Sequence, residues 1–168
     1  MSTTVFVNTY AYSVTYVSDK LLTQVKDIIR LSGLDPGRLT DDWECLERGI
    51  STWLSTQHLE EVVLEVYDPK TGRLILRWDF EIYYGFMGDG SFWVDPEDVR
   101  YHIRKQDVLP STCCYRVVAT TKLGRPDVLG WSTTTLLSRD GFVKQSIGTT
   151  IDGSGLSTRA GYWRRAAQ

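Results

Sequence analysis

The side chains able to do chemistry are few and poorly grouped. Among 168 residues there are three cysteines and two histidines. Cys45 stands alone, and Cys113 and Cys114 are adjacent, so no CxxC pair exists to hold zinc or run a dithiol reaction. Neighbours in a strand point to opposite faces, and an odd count without framework spacing reads as reduced thiols filling small core spaces. His58 and His102 belong to no HExxH or Cys/His zinc pattern, and His102 beside Tyr101 reads as a partly packed helical residue. Asp41-Asp42, Glu60-Glu61 and Glu97-Asp98 suit helix starts and solvated faces better than a general acid and base. There is no phosphate-cradling GxxxxGK[ST]. Gly88-Asp89-Gly90 and Gly153-Ser154-Gly155 lack the third glycine and the strand-to-helix setting of a dinucleotide loop. Gly90-Ser91 opens like a nucleotidyltransferase motif, but no DxD follows. No catalytic residue, metal ligand or cofactor is assigned, and the chain reads as a non-enzyme.

Charge narrows the classes further. With 19 basic and 21 acidic groups the formal charge is -2, which argues against a general nucleic-acid or anionic-membrane binder. The signs are unevenly placed: residues 1–112 carry 18 acidic and 11 basic groups, and residues 113–168 carry 3 acidic and 8 basic. No apolar run approaches the ~20 residues needed to cross a bilayer. Met1 to Tyr12 has neither the basic nor the apolar region of a secretory leader, so the expected location is the cytoplasm. Trp78, Phe80, Tyr84 and Phe86 offer a second idea, a base-stacking sheet face for a small ligand or single-stranded nucleic acid. Core packing explains the same alternation more simply, because the flanking charges are of both signs.

The elements that must position these residues read as one α+β domain. Val5 to Tyr12 is β-prone. From Val14, the recurrence of Val17, Leu21, Val25 and Ile28 predicts an amphipathic helix, and Gly33 marks its left-handed cap. A second helix is expected from Thr40-Asp41-Asp42, burying Trp43, Leu46, Ile50, Trp53 and Leu54. Strands 60–67 and 74–84 flank the turn Asp68-Pro69-Lys70-Thr71-Gly72. In the second of them, Leu74, Leu76, Trp78, Phe80, Ile82 and Tyr84 alternate with Arg77, Asp79 and Glu81, predicting one core face and one wet face. Gly85 to Trp93 reads as a loop. Asp95-Pro96-Glu97-Asp98 starts a third helix reaching about Gln106, and Cys114 to Thr121 is a further strand.

Beyond Thr121 the composition shifts. Residues 120–158 hold 13 Ser or Thr, and residues 124–161 hold 7 of the 14 glycines, with short apolar anchors between them. A pure linker lacks such anchors. The segment is expected to pack weakly in short strands, with lower local stability than the helices. A sheet with an exposed edge can recruit an extended peptide as an added strand, and such a tail could fold over it.

Six stretches carry a resemblance. Tyr12–Lys20 (YSVTYVSDK), Ile28–Pro36 (IIRLSGLDP), Gly88–Trp93 (GDGSFW), Gly124–Trp131 (GRPDVLGW), Gly141–Gly148 (GFVKQSIG) and Gly161–Arg164 (GYWR) resemble the bacterial HORMA-domain proteins of CBASS antiphage operons. The resemblance implies a HORMA-like α+β fold over residues 1–168, with three helices on one face of a mainly antiparallel sheet. Residues 1–12 would be an N-terminal segment, 13–121 the body and 122–168 a mobile C-terminal safety belt. It also implies a function. The belt closes on a closure-motif peptide, the closed form activates a cGAS-like nucleotidyltransferase, and an AAA+ remodelling ATPase reopens it. A second HORMA protein is a further partner the resemblance leaves open; no membrane or direct nucleic-acid partner is expected.

On that pattern the peptide would lie on the strand of Tyr115, Val117 and Ala119, covered by Phe142, Val143 and Ile147. Trp131 would anchor the start of the belt, and Tyr162 and Trp163 would latch its end. Val5, Phe6, Val7 and Tyr10 would meet the remodeller. Removing Asp140 to Gln168 is expected to abolish capture and leave a helical core. Attraction between the acidic body and the basic tail would make closure weaken with salt.

Overall fold

The computed structural model describes residues 2–4, 9–85 and 92–166. Helix α1 spans Thr9–Leu31, and its expected stripe is in place: Val14, Val17, Leu21, Leu22, Val25, Ile28 and Ile29 are all buried. The helix begins earlier than the β-prone run suggested. Thr9 to Tyr12 continue it because the α1 register lets Tyr10 Oη donate to Leu54 O at 2.6 Å, so tertiary contact overrides local strand preference. At its end Leu34 N donates to Ile29 O at 3.0 Å and Gly33 adopts φ +93, the left-handed cap.

The second helical region is two pieces, α2 (Gly37–Asp41) and α3 (Trp43–Ser55), joined at Asp42. Ile50, Trp53 and Leu54 are buried, and Trp43 and Leu46 pack half-buried against the same core. Strands β1 (Leu59–Tyr67) and β2 (Leu74–Tyr84) form the expected hairpin. Phe92 and Trp93, expected as loop, form with Val94 a short strand β3 (Phe92–Val94), while residues 86–91, Phe86 among them, lie outside the described residues. Helix α4 (Pro96–Arg104) starts where its cap predicts, with Asp98 N donating to Asp95 Oδ1 at 3.1 Å. Strand β4 is Cys114–Thr121.

The largest departure is the tail. After residues 122–141 it forms two long strands, β5 (Phe142–Gly153) and β6 (Leu156–Arg165). The six-stranded antiparallel sheet runs β3-β5-β6-β2-β1-β4, so this hairpin fills one side of the sheet and is no loose flap. Ile151, Leu156, Ala160 and Tyr162 are buried in the core. Small residues permit this packing: a Cβ on Gly153 would stand 2.5 Å from Val17 Cγ2, so only glycine lets β5 approach α1 there. Nearby, Thr150 Oγ1 donates to Gln24 Oε1 at 3.1 Å in a buried pair joining β5 to α1. Truncation at Asp140 would therefore strip core residues and expose β2, and a separately folded helical remainder is not expected.

Two expectations about β2 change as well. Trp78 and Phe80 are fully buried, so the aromatic face is core and offers no stacking platform. The opposite face is not wet at its centre: Arg77 and Asp79 are each 2% exposed. They escape the usual penalty by pairing, Arg77 Nε donating to Asp79 Oδ1 at 2.6 Å and Trp163 Nε1 to Asp79 Oδ2 at 2.9 Å.

Candidate peptide-binding site

Strand β4 pairs with β1 on one side only; among the described residues no strand occupies its other edge. An edge strand presents unpaired backbone donors and acceptors. Opposite that edge runs segment 130–134. Between the two lies a cavity of about 510 Å³, walled by Leu39, Leu46, Tyr115, Val117, Trp131 and Thr133. A second cavity of about 220 Å³ continues along the strand past Val117, Ala119 and Thr121, with Trp53 and Arg125 at its wall.

Helix α3 holds the segment in place. Trp131 Nε1 donates to Cys45 O at 2.9 Å, and its ring meets Trp53 edge-on with centroids 5.0 Å apart. Trp53 Nε1 in turn donates to Pro126 O at 2.8 Å, and Arg48 Nη2 donates to Leu129 O at 3.2 Å. The indole occupies a notch left by Gly49: a Cβ there would stand 2.3 Å from Trp131 Nε1. Gly130, at φ +94, passes so close to Cys45 that a Cβ would lie 2.5 Å from its Sγ. A glycine inside an otherwise good helix costs about 1 kcal/mol relative to alanine. The notch therefore shows in the sequence as a glycine at an unfavourable helical position.

The chain then crosses the back of the sheet. Arg116 of β4 donates from Nε to Glu65 Oε1 at 2.6 Å, from Nη1 to Thr134 Oγ1 at 3.1 Å and from Nη2 to Thr135 O at 2.5 Å. Leu137 N donates to Glu65 Oε2 at 2.7 Å, and the Arg139 guanidinium lies 4.4 Å from the Trp163 ring centroid. Residues 134–139 therefore span from β4 to β6.

The sites expected from the sequence divide accordingly. Tyr115, Val117 and Ala119 sit together on β4 beside the cavities, with Trp131 across from them. Phe142, Val143 and Ile147 do not cover that strand: they lie on β5, with β6, β2 and β1 intervening. The 20 residues between β4 and β5 are long enough to cross the sheet, so the hairpin docks on β2 and residues 130–134 face β4 instead. Tyr162 is buried against Trp78, ring centroids 4.9 Å apart, and Trp163 points to the back face. Tyr10 is half-buried in α1; Val5, Phe6 and Val7 lie outside the described residues.

The ionisable groups here serve structure. Burial pushes the Cys113 thiol up, away from the reactive thiolate. His102 Nδ1 lies 3.3 Å from Tyr162 Oη, with Asp98 3.8 Å from its other nitrogen, which ties α4 to β6. Glu61 is the odd carboxylate: burial and then Asp79 push its pKa up, partly offset by Arg77 at 3.6 Å. A raised folded-state value means the stabilisation belongs to the protonated form. It is complete below the unfolded value and lost as pH rises through the folded one. Glu61→Gln is accordingly expected to raise the Tm at pH 7 and leave it unchanged near pH 3, as thermal melts at the two pH values would register.

A helix layer over one face of a sheet, a free edge strand, and a C-terminal segment that walls that edge before docking as a hairpin on the far side define a HORMA architecture. The family model described as bacterial HORMA domain 2 matches residues 2–166, and the chain belongs to that family. Solved structures share the fold at low identity. A chain from a crystal structure of the mitotic checkpoint complex aligns with TM-score 0.73 and 12% identity, covering 92% of this chain and 99% of that one. A chain from the E. coli MS115-1 CdnC:HORMA-deltaN complex gives TM-score 0.63 and 16% identity, covering 99% and 94%. C. elegans HTP-2 bound to the HIM-3 closure motif gives 0.58 and 14%, covering 77% and 70%. No curated protein sequence matches the chain significantly. No helix among the described residues is long and apolar enough to cross a membrane.

Proposed function

We propose that the chain is a non-enzymatic peptide-capture switch, taking a short extended peptide as an added strand on the free edge of β4 beneath residues 130–134. The observation that carries this reading is the pair of cavities running along an unpaired strand edge and closed on the outside by a crossing chain segment. Backbone pairing supplies affinity in such a mode, and side-chain pockets supply selectivity. The comparison with HTP-2, solved with a closure motif bound, supports the same reading. In this proposal residues 122–168 act as a belt over the body 13–121. A peptide held under a crossing segment leaves only when that segment detaches, so release is governed by local opening and can be slow at modest affinity.

The partner reading follows from the family and from the CdnC:HORMA neighbour. The peptide-bound form engages and activates a cGAS-like nucleotidyltransferase of a cytoplasmic CBASS antiphage system. An AAA+ remodelling ATPase, acting from the segment 1–12, resets it, and a second HORMA protein serves as a further partner. The test is selection from a random peptide library followed by dissociation kinetics. A sequence-selective, slowly released ligand is expected, and Val117→Asp, beside both cavities, is expected to abolish its capture. Finding no selective ligand would sink the reading. Co-purification with operon neighbours, and nucleotidyltransferase activity with and without the chain, tests the partner half separately.

A further inference from the structure

We propose that Glu65 and Arg116 form an ionic latch, its carboxylate buried and its guanidinium partly exposed, that positions the crossing segment over the peptide edge. Its role in peptide retention rests on the capture reading above; the latch itself rests on geometry alone. Glu65 is fully buried on the back face of β1, in register with Arg77 of β2 and Arg116 of β4. Each carboxylate oxygen has one donor of a different origin: Arg116 Nε on Oε1, and the Leu137 backbone N–H on Oε2. Arg116 spends its two remaining nitrogens on Thr134 and Thr135. Four charge-assisted bonds therefore converge on two side chains, and three of them end on residues 134–137.

The asymmetry of the pair makes it a latch. With the segment lifted away, Glu65 keeps one of its two partners and Arg116 one of its three. A buried carboxylate left under-satisfied costs far more than a lost surface contact, so partial detachment is resisted. Arg116 also lines the larger cavity. The residue that fastens the segment therefore belongs to the strand that would receive the peptide. Lysine cannot substitute, because a single ammonium cannot fork to Glu65, Thr134 and Thr135 together. Burial shields the Glu65 carboxylate from screening while Arg116 is 32% exposed, so the bonds to Glu65 should lose less to salt than those to Thr134 and Thr135.

Hydrogen exchange of the peptide-free chain tests this directly. Glu65→Gln and Arg116→Lys are each expected to speed exchange over residues 132–139 roughly ten- to a hundredfold, with α1 and β2 unchanged. Unchanged exchange over 132–139 in both variants would overturn the latch. So would a uniform acceleration that includes α1, since that marks an ordinary core residue. The double exchange Glu65→Arg with Arg116→Glu supplies a further arm. It turns a donor toward the Leu137 N–H, so it should not restore protection; restoration would reduce the latch to a plain ion pair. Where a ligand is captured, its release from Glu65→Gln should quicken by the same factor. A wild-type chain that captures no peptide removes the capture reading and leaves the exchange result to decide the latch.

Discussion

Gly49→Ala is expected to abolish peptide capture although alanine is the better helix former. In an exposed helix interior this change gains about 1 kcal/mol. Here the new methyl would stand 2.3 Å from Trp131 Nε1 and 2.4 Å from its Cε2, distances real side chains do not sustain. The indole is also tied to Cys45 O and stacked edge-on against Trp53, so it cannot slide without losing both. Overpacking of this kind costs about 1–3 kcal/mol and is relieved most readily by expelling Trp131 with residues 125–134. Trp131→Ala should reproduce the loss of capture from the other side, removing the plug and leaving the notch. The measurement is peptide binding together with hydrogen exchange over 125–134. A Gly49→Ala chain that binds normally and keeps its protection would show that the notch does not hold the segment.

Trp78→Ala should have the largest effect on stability, about 3–5 kcal/mol. Domains of this kind have only about 5–15 kcal/mol in total. Trp78 is fully buried in mid-sheet, opposite Leu64 on one side and Tyr162 on the other. Its removal opens a void that sheet and helices border together. A urea titration should show a lower midpoint with an unchanged slope. A double-mutant cycle with Tyr162→Ala should show coupling, because the two rings touch. That coupling matters for the proposed switch. If β6 belongs to the cooperative core, lifting the whole tail costs a large part of the folding free energy, whereas residues 125–139 can detach alone more cheaply. In the proposed switch, complete opening would then call for an input of energy.

Local pattern carried the sequence reading wherever structure is local. The α1 stripe, the Asp95-Pro96 cap, the β1–β2 hairpin and β4 all follow from periodicity and capping, and all are present. It failed where partners are distant. The Ser-, Thr- and Gly-rich composition beyond Thr121 predicts weakly packed short strands, yet pairing with β2 and with each other makes β5 and β6 long strands of the sheet. The family resemblance places Phe142, Val143 and Ile147 over β4, and nothing in the sequence states that their hairpin joins the β2 side of the sheet. Arg77 and Asp79 looked solvated because alternation cannot reveal that two charges satisfy each other. At the site itself, the β4 residues and Trp131 were legible as apolar anchors. Glu65 and Arg116 were not, since their roles exist only after the chain has crossed the sheet, and Gly49 shows in the sequence only as an unfavourable residue inside a helix.

The strand order has a consequence for the timing of synthesis. Strands β6 and β5, which continue the sheet from β2 on the side away from β1, are made after β4, with residues 122–165 still to come when β4 is complete. At about 5–20 residues per second a ribosome needs roughly 2 to 9 s to supply them. During that interval β2 lacks the β6 partner it has in the finished sheet, and nothing yet lies across β4. A partner peptide present at the moment of translation could meet β4 before anything lies across it. In the capture proposal, a peptide paired with β4 at that stage would be in place before residues 130–134 cross it and would need no opening step.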